Sequence, residues 1–191
     1  MAGVQVGLNN LHFAKLTKDD DSGAVYETPK RIAGSIMAKI SPKMNTETLY
    51  ADDGPSETAT ALGEIEVEFE VKDLPLEIQA EVLGHTLSKG VLIKNADDTA
   101  PYLAIGFKSK KTNGHYRFVW LYKGRFELPE QEFKTMEDKP SFQTPKVKAK
   151  FVKREYDNIW QVMGDEDVSG FTAGDTWFSQ VYDPHGTVPN P

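Results

Sequence analysis

Carboxylates are the first residues in this chain that could do chemistry. Glu64, Glu66, Glu68 and Glu70 alternate with Ile65, Val67, Phe69 and Val71. Successive strand side chains point to opposite faces, so this spacing predicts a strand with one acidic and one apolar face. Two carboxylates with pKa values set apart are all that glycoside hydrolysis needs. No spacing here singles out two of them, and the simpler reading is a solvated face. A row of like charges still repels itself unless water or a basic neighbour absorbs it. Lys146, Lys148 and Lys150, alternating with Val147, Ala149 and Phe151, would be such a neighbour if the two strands met on one sheet face.

The other candidate groups are less specific. His12, His85, His115 and His185 stand far apart without metal-ligand spacing, so each reads as structural. Asp19, Asp20 and Asp21 lack the alternating ligands and glycine of a calcium loop and read as a polar turn. Tyr116, Phe118, Trp120 and Tyr122 share one strand face, which could stack sugars or bases but more simply belongs to a core. There is no cysteine, and no nucleophile elbow or glycine-rich phosphate loop.

Composition limits the partners. The 191 residues carry a net charge of −7, with 39% apolar and 27% charged residues, values typical of a globular domain with its own core. The charges balance up to Arg154. Beyond it, Glu155, Asp157, Asp165, Glu166, Asp167, Asp175 and Asp183 meet no Lys or Arg. That distribution opposes sequence-specific nucleic-acid binding, which needs a basic face. No apolar run reaches the roughly 20 residues of a membrane span, so no membrane partner is expected. The start, MAGVQVGLNNLHF, has no basic and apolar leader pattern, so a protein made and folded in a cytoplasm is expected.

The elements that must position these groups are mostly strands. Strands are predicted over 11–17, 32–40 (closed by Pro42), 63–71, 102–110, 115–123 and 146–151, with a last one over 157–163. Asn113-Gly114 marks a hairpin turn, across which Leu103, Ile105 and Phe107 share a core face with YRFVWLY. Asp73 as a cap, Pro75 in the first turn, the repeat of Leu74, Ile78 and Val82, and Gly84 as a stop predict a short helix. A terminal helix is predicted over 173–182, followed by a flexible tail from Pro184. The segment 45–61, NTETLYADDGPSETATA, is interrupted by Asp53-Gly54-Pro55 and reads as a long irregular loop. Leu49 and Tyr50 stand out within it as apolar anchors. The sum is a mainly β fold: one domain over 1–183, built as a sandwich or partial barrel with one or two short flanking helices.

Four blocks, LHFAKLTKDD, TLYADDGPSETATALGEIEVEFEVKDLPLEIQAEVLGH, APYLAIGFKSKKTNGHYRFVWLYKGRFELPEQEF and FQTPKVKAKFVKRE, together closely resemble the major tail protein family of long-tailed, non-contractile bacteriophages. The resemblance extends from about Val6 to Tyr182. It implies a tail-tube β-sandwich whose copies form hexameric rings, stacked into a hollow tube through which genomic DNA passes to the host without sequence-specific binding. Catalysis, cofactor and metal are not implied. The implied partners are further copies of the chain, a tail-tip initiator, a tape-measure protein and a tail terminator, in a virion tail assembled in the host cytoplasm. With only PHGTVPNP after the expected terminal helix, no immunoglobulin-like decoration domain is expected. On this reading 45–61 is an inter-ring assembly loop, with Leu49, Tyr50, Asp52, Asp53 and Glu57 as its contact residues, disordered before assembly. Glu64, Glu66, Glu68 and Glu70 are candidates to line the lumen. The rival reading is a non-catalytic sandwich that binds carbohydrate on its aromatic strand face.

Overall fold

A computed structural model of the chain describes residues 3–32, 34–51, 54–132, 135 and 144–186. In chain order the elements are β1 (Gln5–Asp20), β2 (Gly23–Tyr26), β3 (Lys30–Ile32), β4 (Ser35–Ala51), β5 (Gly54–Val71), α1 (Leu76–Leu83), β6 (Thr86–Ser88), β7 (Val91–Ile93), β8 (Leu103–Lys111), β9 (Tyr116–Phe126), β10 (Lys146–Val152) and β11 (Gln161–Asp165). The fold is mainly β, as expected. Its large antiparallel sheet runs β2-β1-β8-β9-β10-β5-β4, with β3 also on β1 and β11 also on β9, while β6 and β7 form a small separate hairpin. The sheet does not close into a barrel.

Alternation decides which side of each strand is inside. In β10, Val147, Ala149 and Phe151 are buried and the lysines between them exposed. The same holds for Ile65, Val67 and Phe69 against the glutamates of β5. These residues share one core with Leu11 and Phe13 of β1, Ile105 and Phe107 of β8, and Val119 and Leu121 of β9. Both ends of the sheet thus feed one interior, so the sheet folds over itself as a sandwich. Val82 and Leu83 of α1 join that core, and α1 ends at Gly84, whose φ of 75° is the left-handed value of a helix stop.

Strand β9 is covered on both sides. Val119 and Leu121 face the main core, whereas Phe118, Trp120 and Tyr122 meet Trp177, Val181, Phe171, Phe178 and Tyr182 in a second cluster. Gly106 makes room for this. It pairs with Trp120 across the β8–β9 ladder, and a Cβ there would stand 2.6 Å from the Trp120 ring. Gly106→Ala is therefore expected to cost about 1–3 kcal/mol by overpacking, read as a lower urea midpoint. An unchanged midpoint would show that the indole can move aside.

Several sequence expectations are corrected. The segment 45–61 is not an irregular loop but the distal half of the β4–β5 hairpin, and Pro42 closes nothing, because β4 runs through it on the sheet edge, where a missing N–H is tolerated. The predicted terminal helix is a run of turns closed by bonds such as Thr176 N to Ala173 O, 3.2 Å, and Ser179 N to Thr176 O, 3.0 Å. The last strand begins at Gln161, since Asp157 is turned back to pair with the buried Arg154. Asp73 accepts from Leu74 N and does not cap α1, whose N-cap position is Pro75. Of the tail, 184–186 form a turn and 187–191 lie outside the described residues.

A candidate assembly surface

Beyond the Ile65–Phe151 pair, β10 no longer flanks β5, and among the described residues β5 has only β4 beside it. From Met44–Leu62 to Ala51–Gly54 the two strands continue as a two-stranded arm, about 25 Å long at roughly 3.3 Å per residue. Its composition suits a ribbon without a core. Thr46 faces Thr60 and Thr48 faces Thr58 across the ladder, β-branched pairs that favour the strand without burying a face. The opposite face carries the pairs Glu47–Ala59 and Leu49–Glu57. Glu47 and Glu57 are exposed and make no ion pair among the described residues. Leu49 and Tyr50 lie on the β4 backbone, but their side chains, like Asp52 and Asp53 altogether, fall outside the described residues. Met44 and Leu62 at the base of the arm are 59% and 38% exposed, and among the described residues no strand lies on the outer side of β4. A two-stranded ribbon is marginal alone; here the sheet behind it holds it.

The acidic row is not bare. β5 lies between β4 and β10, so that Lys39–Glu68–Lys148 and Ser41–Glu66–Lys150 form continuous cross-strand rows. Lys43 Nζ lies 3.0 Å from Glu64 and 2.6 Å from Glu66, Lys150 lies 3.4 Å from Glu64 and 3.6 Å from Glu127, and Lys146 lies 3.9 Å from Glu68. Thr144 donates to Glu70 at 2.5 Å. The hydrogen bond from Lys43, then that from Lys150, holds the Glu64 carboxyl below its ordinary range. A shallow groove of about 340 Å³ lies over this face, lined by Glu66, Glu68 and Glu127 interleaved with Lys39, Lys148 and Lys150. Every carboxylate in it has a lysine near, the opposite of an isolated acid poised for proton transfer.

The remaining sequence candidates are pinned into the scaffold. His12 stacks on Phe178 at 4.5 Å, and burial lowers its pKa. His85 Nδ1 is 2.6 Å from Asp98, and His185 Nε2 is 3.3 Å from Asp157. Asp19 accepts from Lys123 and from the backbone N–H groups of Glu155 and Tyr156, and Asp20 accepts from Ser22. The expected polar turn is thus corrected: Asp19 and Asp20 end β1, with Asp19 paired to Lys123, and only Asp21 lies in the turn. No group of three or more His, Asp or Glu among the described residues is placed to hold a metal ion. Phe118, Trp120 and Tyr122 are at most 2% exposed and so offer sugars no stacking platform. No helix among the described residues is long and apolar enough to cross a membrane.

Sequence reasoning missed one charged cluster because it joins distant segments. The buried Lys111 ammonium bonds both Asp165 and Asp167, and Asp167 also meets His115 Nδ1 at 2.6 Å, Asn113 Nδ2 at 2.7 Å and the Gly3 N–H at 3.4 Å. The start of the chain is held beside it, with Val4 N donating to Thr112 Oγ1 and Thr112 N to Val4 O. Burial pushes the Asp165 carboxyl up, but bonds from Lys111, Asp167 N and Arg117 outweigh it and leave it low. Asp167 is lowered chiefly by Lys111. Depressed carboxylates stabilise above their unfolded pKa, and that stability is lost as pH falls through the folded values. Amide protection at Val4 and Thr112 should therefore hold from neutral pH down to about pH 4 and fall below it before that of β9. Simultaneous loss in both places would show that the cluster does not pin the terminus.

No family model matches the chain, and no curated protein matches it.

Proposed function

We propose that this protein is a structural subunit that assembles with copies of itself into the tail tube of a long-tailed, non-contractile phage, as hexameric rings stacked around a channel for genomic DNA. The single observation that supports this most is the β4–β5 arm. It is a paired ribbon whose described side chains are exposed or only partly buried, and among the described residues no strand covers the outer edge of the 17-residue β4. An exposed edge of that length invites strand addition unless something covers it, and copies joined edge to edge in a closed ring would cover it. The resemblance of the four sequence blocks points the same way, and the burial of the aromatic face removes the surface on which the carbohydrate-binding reading rested. In this reading the chain is not an enzyme, and its further partners are a tail-tip initiator, a tape-measure protein and a terminator, in the virion tail.

The Lys–Glu–Lys face of β4, β5 and β10 faces the channel in this proposal. Its charges already neutralise one another, so passing phosphates meet no net positive surface to hold them. The experiment is negative-stain electron microscopy over a concentration series, with size-exclusion chromatography in parallel. Rings or tubes of constant diameter are expected. A monomer at every concentration would overturn the reading. A tube reconstruction with Glu64, Glu66, Glu68 and Glu70 on the outside would remove the channel assignment alone.

A further inference from the structure

The small β6–β7 hairpin is an element for which the main sheet has no use. Thr86 faces Ile93 and Ser88 faces Val91 across it. Leu87 and Leu92 are half-buried, while Val91 and Ile93 are 60% and 44% exposed. Its two-residue turn is Lys89-Gly90, with φ of 50° and 79°, the tight reversal that projects a hairpin tip. Lys89 at the tip and Lys94 just after β7 are exposed and make no ion pair among the described residues. Asp98 nearby is turned to His85 and to Asn95 N. The hairpin thus presents a short apolar strip between two unneutralised ammonium groups.

The β4–β5 arm presents the converse. On the face opposite its threonines, Glu47 and Glu57 are exposed and without an ion pair among the described residues, with Ala59 beside them. Within 45–61 there are four acidic residues and no basic one. We infer that the β6–β7 hairpin is the surface on which the arm of a second copy docks, Lys89 and Lys94 meeting Glu47 and Glu57 across a contact whose centre is Val91 and Ile93. The inference rests on the self-assembly reading and names the receiving surface within it. The other group of exposed lysines is a poorer acceptor, because Lys39 and Lys148 share their groove with Glu66, Glu68 and Glu127, which would repel an acidic arm. Arm and hairpin are different patches of one chain, so the contact is heterologous. It propagates from copy to copy and does not end in a two-fold dimer.

Charge exchange tests this. Lys89→Glu with Lys94→Glu, and separately Glu47→Lys with Glu57→Lys, alter only exposed strand, turn or connecting positions, where folding is little affected; circular dichroism checks this for each variant. Each variant alone is expected to raise the concentration at which assemblies appear by about tenfold or more. The chain carrying all four changes is expected to assemble as the parent does. Carbodiimide coupling of an equal mixture of 15N-labelled and unlabelled parent chains should join Lys89 or Lys94 of one copy to Glu47 or Glu57 of another. Tubes that form normally from both singly exchanged chains would overturn the docking surface and leave the self-assembly reading intact. A folded four-change chain that fails to assemble would also overturn it. A parent chain that never associates would overturn both.

Discussion

Trp120→Ala should be the most destabilising single change in this protein, at about 3–5 kcal/mol. Trp120 is 0% exposed, its Nε1 donates to the Trp177 carbonyl at 3.0 Å, and its ring lies 5.9 Å from that of Phe178. Residues 167–186 form no strand or helix, so their attachment to the sheet depends on this packing. Truncation would leave a void over Gly106 and a buried carbonyl without its donor, two costs that add. Against a total stability of about 5–15 kcal/mol, the loss is roughly a fifth or more. Urea denaturation should show it, and limited proteolysis should find 167–186 cut first. Trp120→Phe should fall between, since it keeps most of the packing and loses the hydrogen bond. The half-buried Tyr116→Ala should cost less than either. A midpoint near that of the parent, with 167–186 still protected, would mean that the segment is held elsewhere, through His185 Nε2 to Asp157, 3.3 Å, and the Tyr122 hydroxyl bond to Tyr182 O, 2.7 Å.

What could be read from the sequence follows from where alternation meets burial. The strand at 63–71 and its basic counterpart at 146–150 were legible because each has an apolar face, and opposite charges at the same period suggested their pairing, which the register Lys146–Glu70, Lys148–Glu68 and Lys150–Glu66 realises. The arm was not legible, because a ribbon that buries neither face has no apolar period to show. Its order is carried by cross-strand threonine pairs, a property of two segments together and not of either alone. The segment 173–182 misleads in the opposite way. Trp177, Phe178, Val181 and Tyr182 have helical spacing, yet they lie against the flat outer face of β8 and β9, and Gly174, Asp175, Thr176 and Ser179 favour turns. Of the candidate site, the acidic strand and its lysine-bearing neighbour were legible, but Lys43, which reaches Glu64 and Glu66 from the other neighbouring strand, was not. The β6–β7 hairpin was passed over because Lys89 is an unusual residue for a positive-φ turn position.

Replacing residues 44–62 by Asn-Gly should abolish assembly while leaving the body of the protein folded. The two halves of the claim have separate grounds. Among the described side chains, every buried residue of β5 lies at Ile65 or beyond, and β10 pairs only from Ile65 onward, so the shortened hairpin keeps its core face and, in Lys43 and Glu64, an ion pair at its end. The arm's hydrogen bonds are exposed to water and offset an ordering cost of about 1–2 kcal/mol per residue. Removing both together leaves little net change, and a shorter connection costs slightly less to close. The urea midpoint should therefore stay near that of the parent. Assembly loses everything the arm supplies: the distal free edge of β4, the Glu47 and Glu57 charges, and the surface around Met44 and Leu62. Sedimentation velocity should show a monomer at concentrations where the parent forms rings or tubes, and microscopy should show none. A shortened chain that still builds tubes would confine assembly to the sheet body, and one that fails to fold would make the arm part of the folding unit.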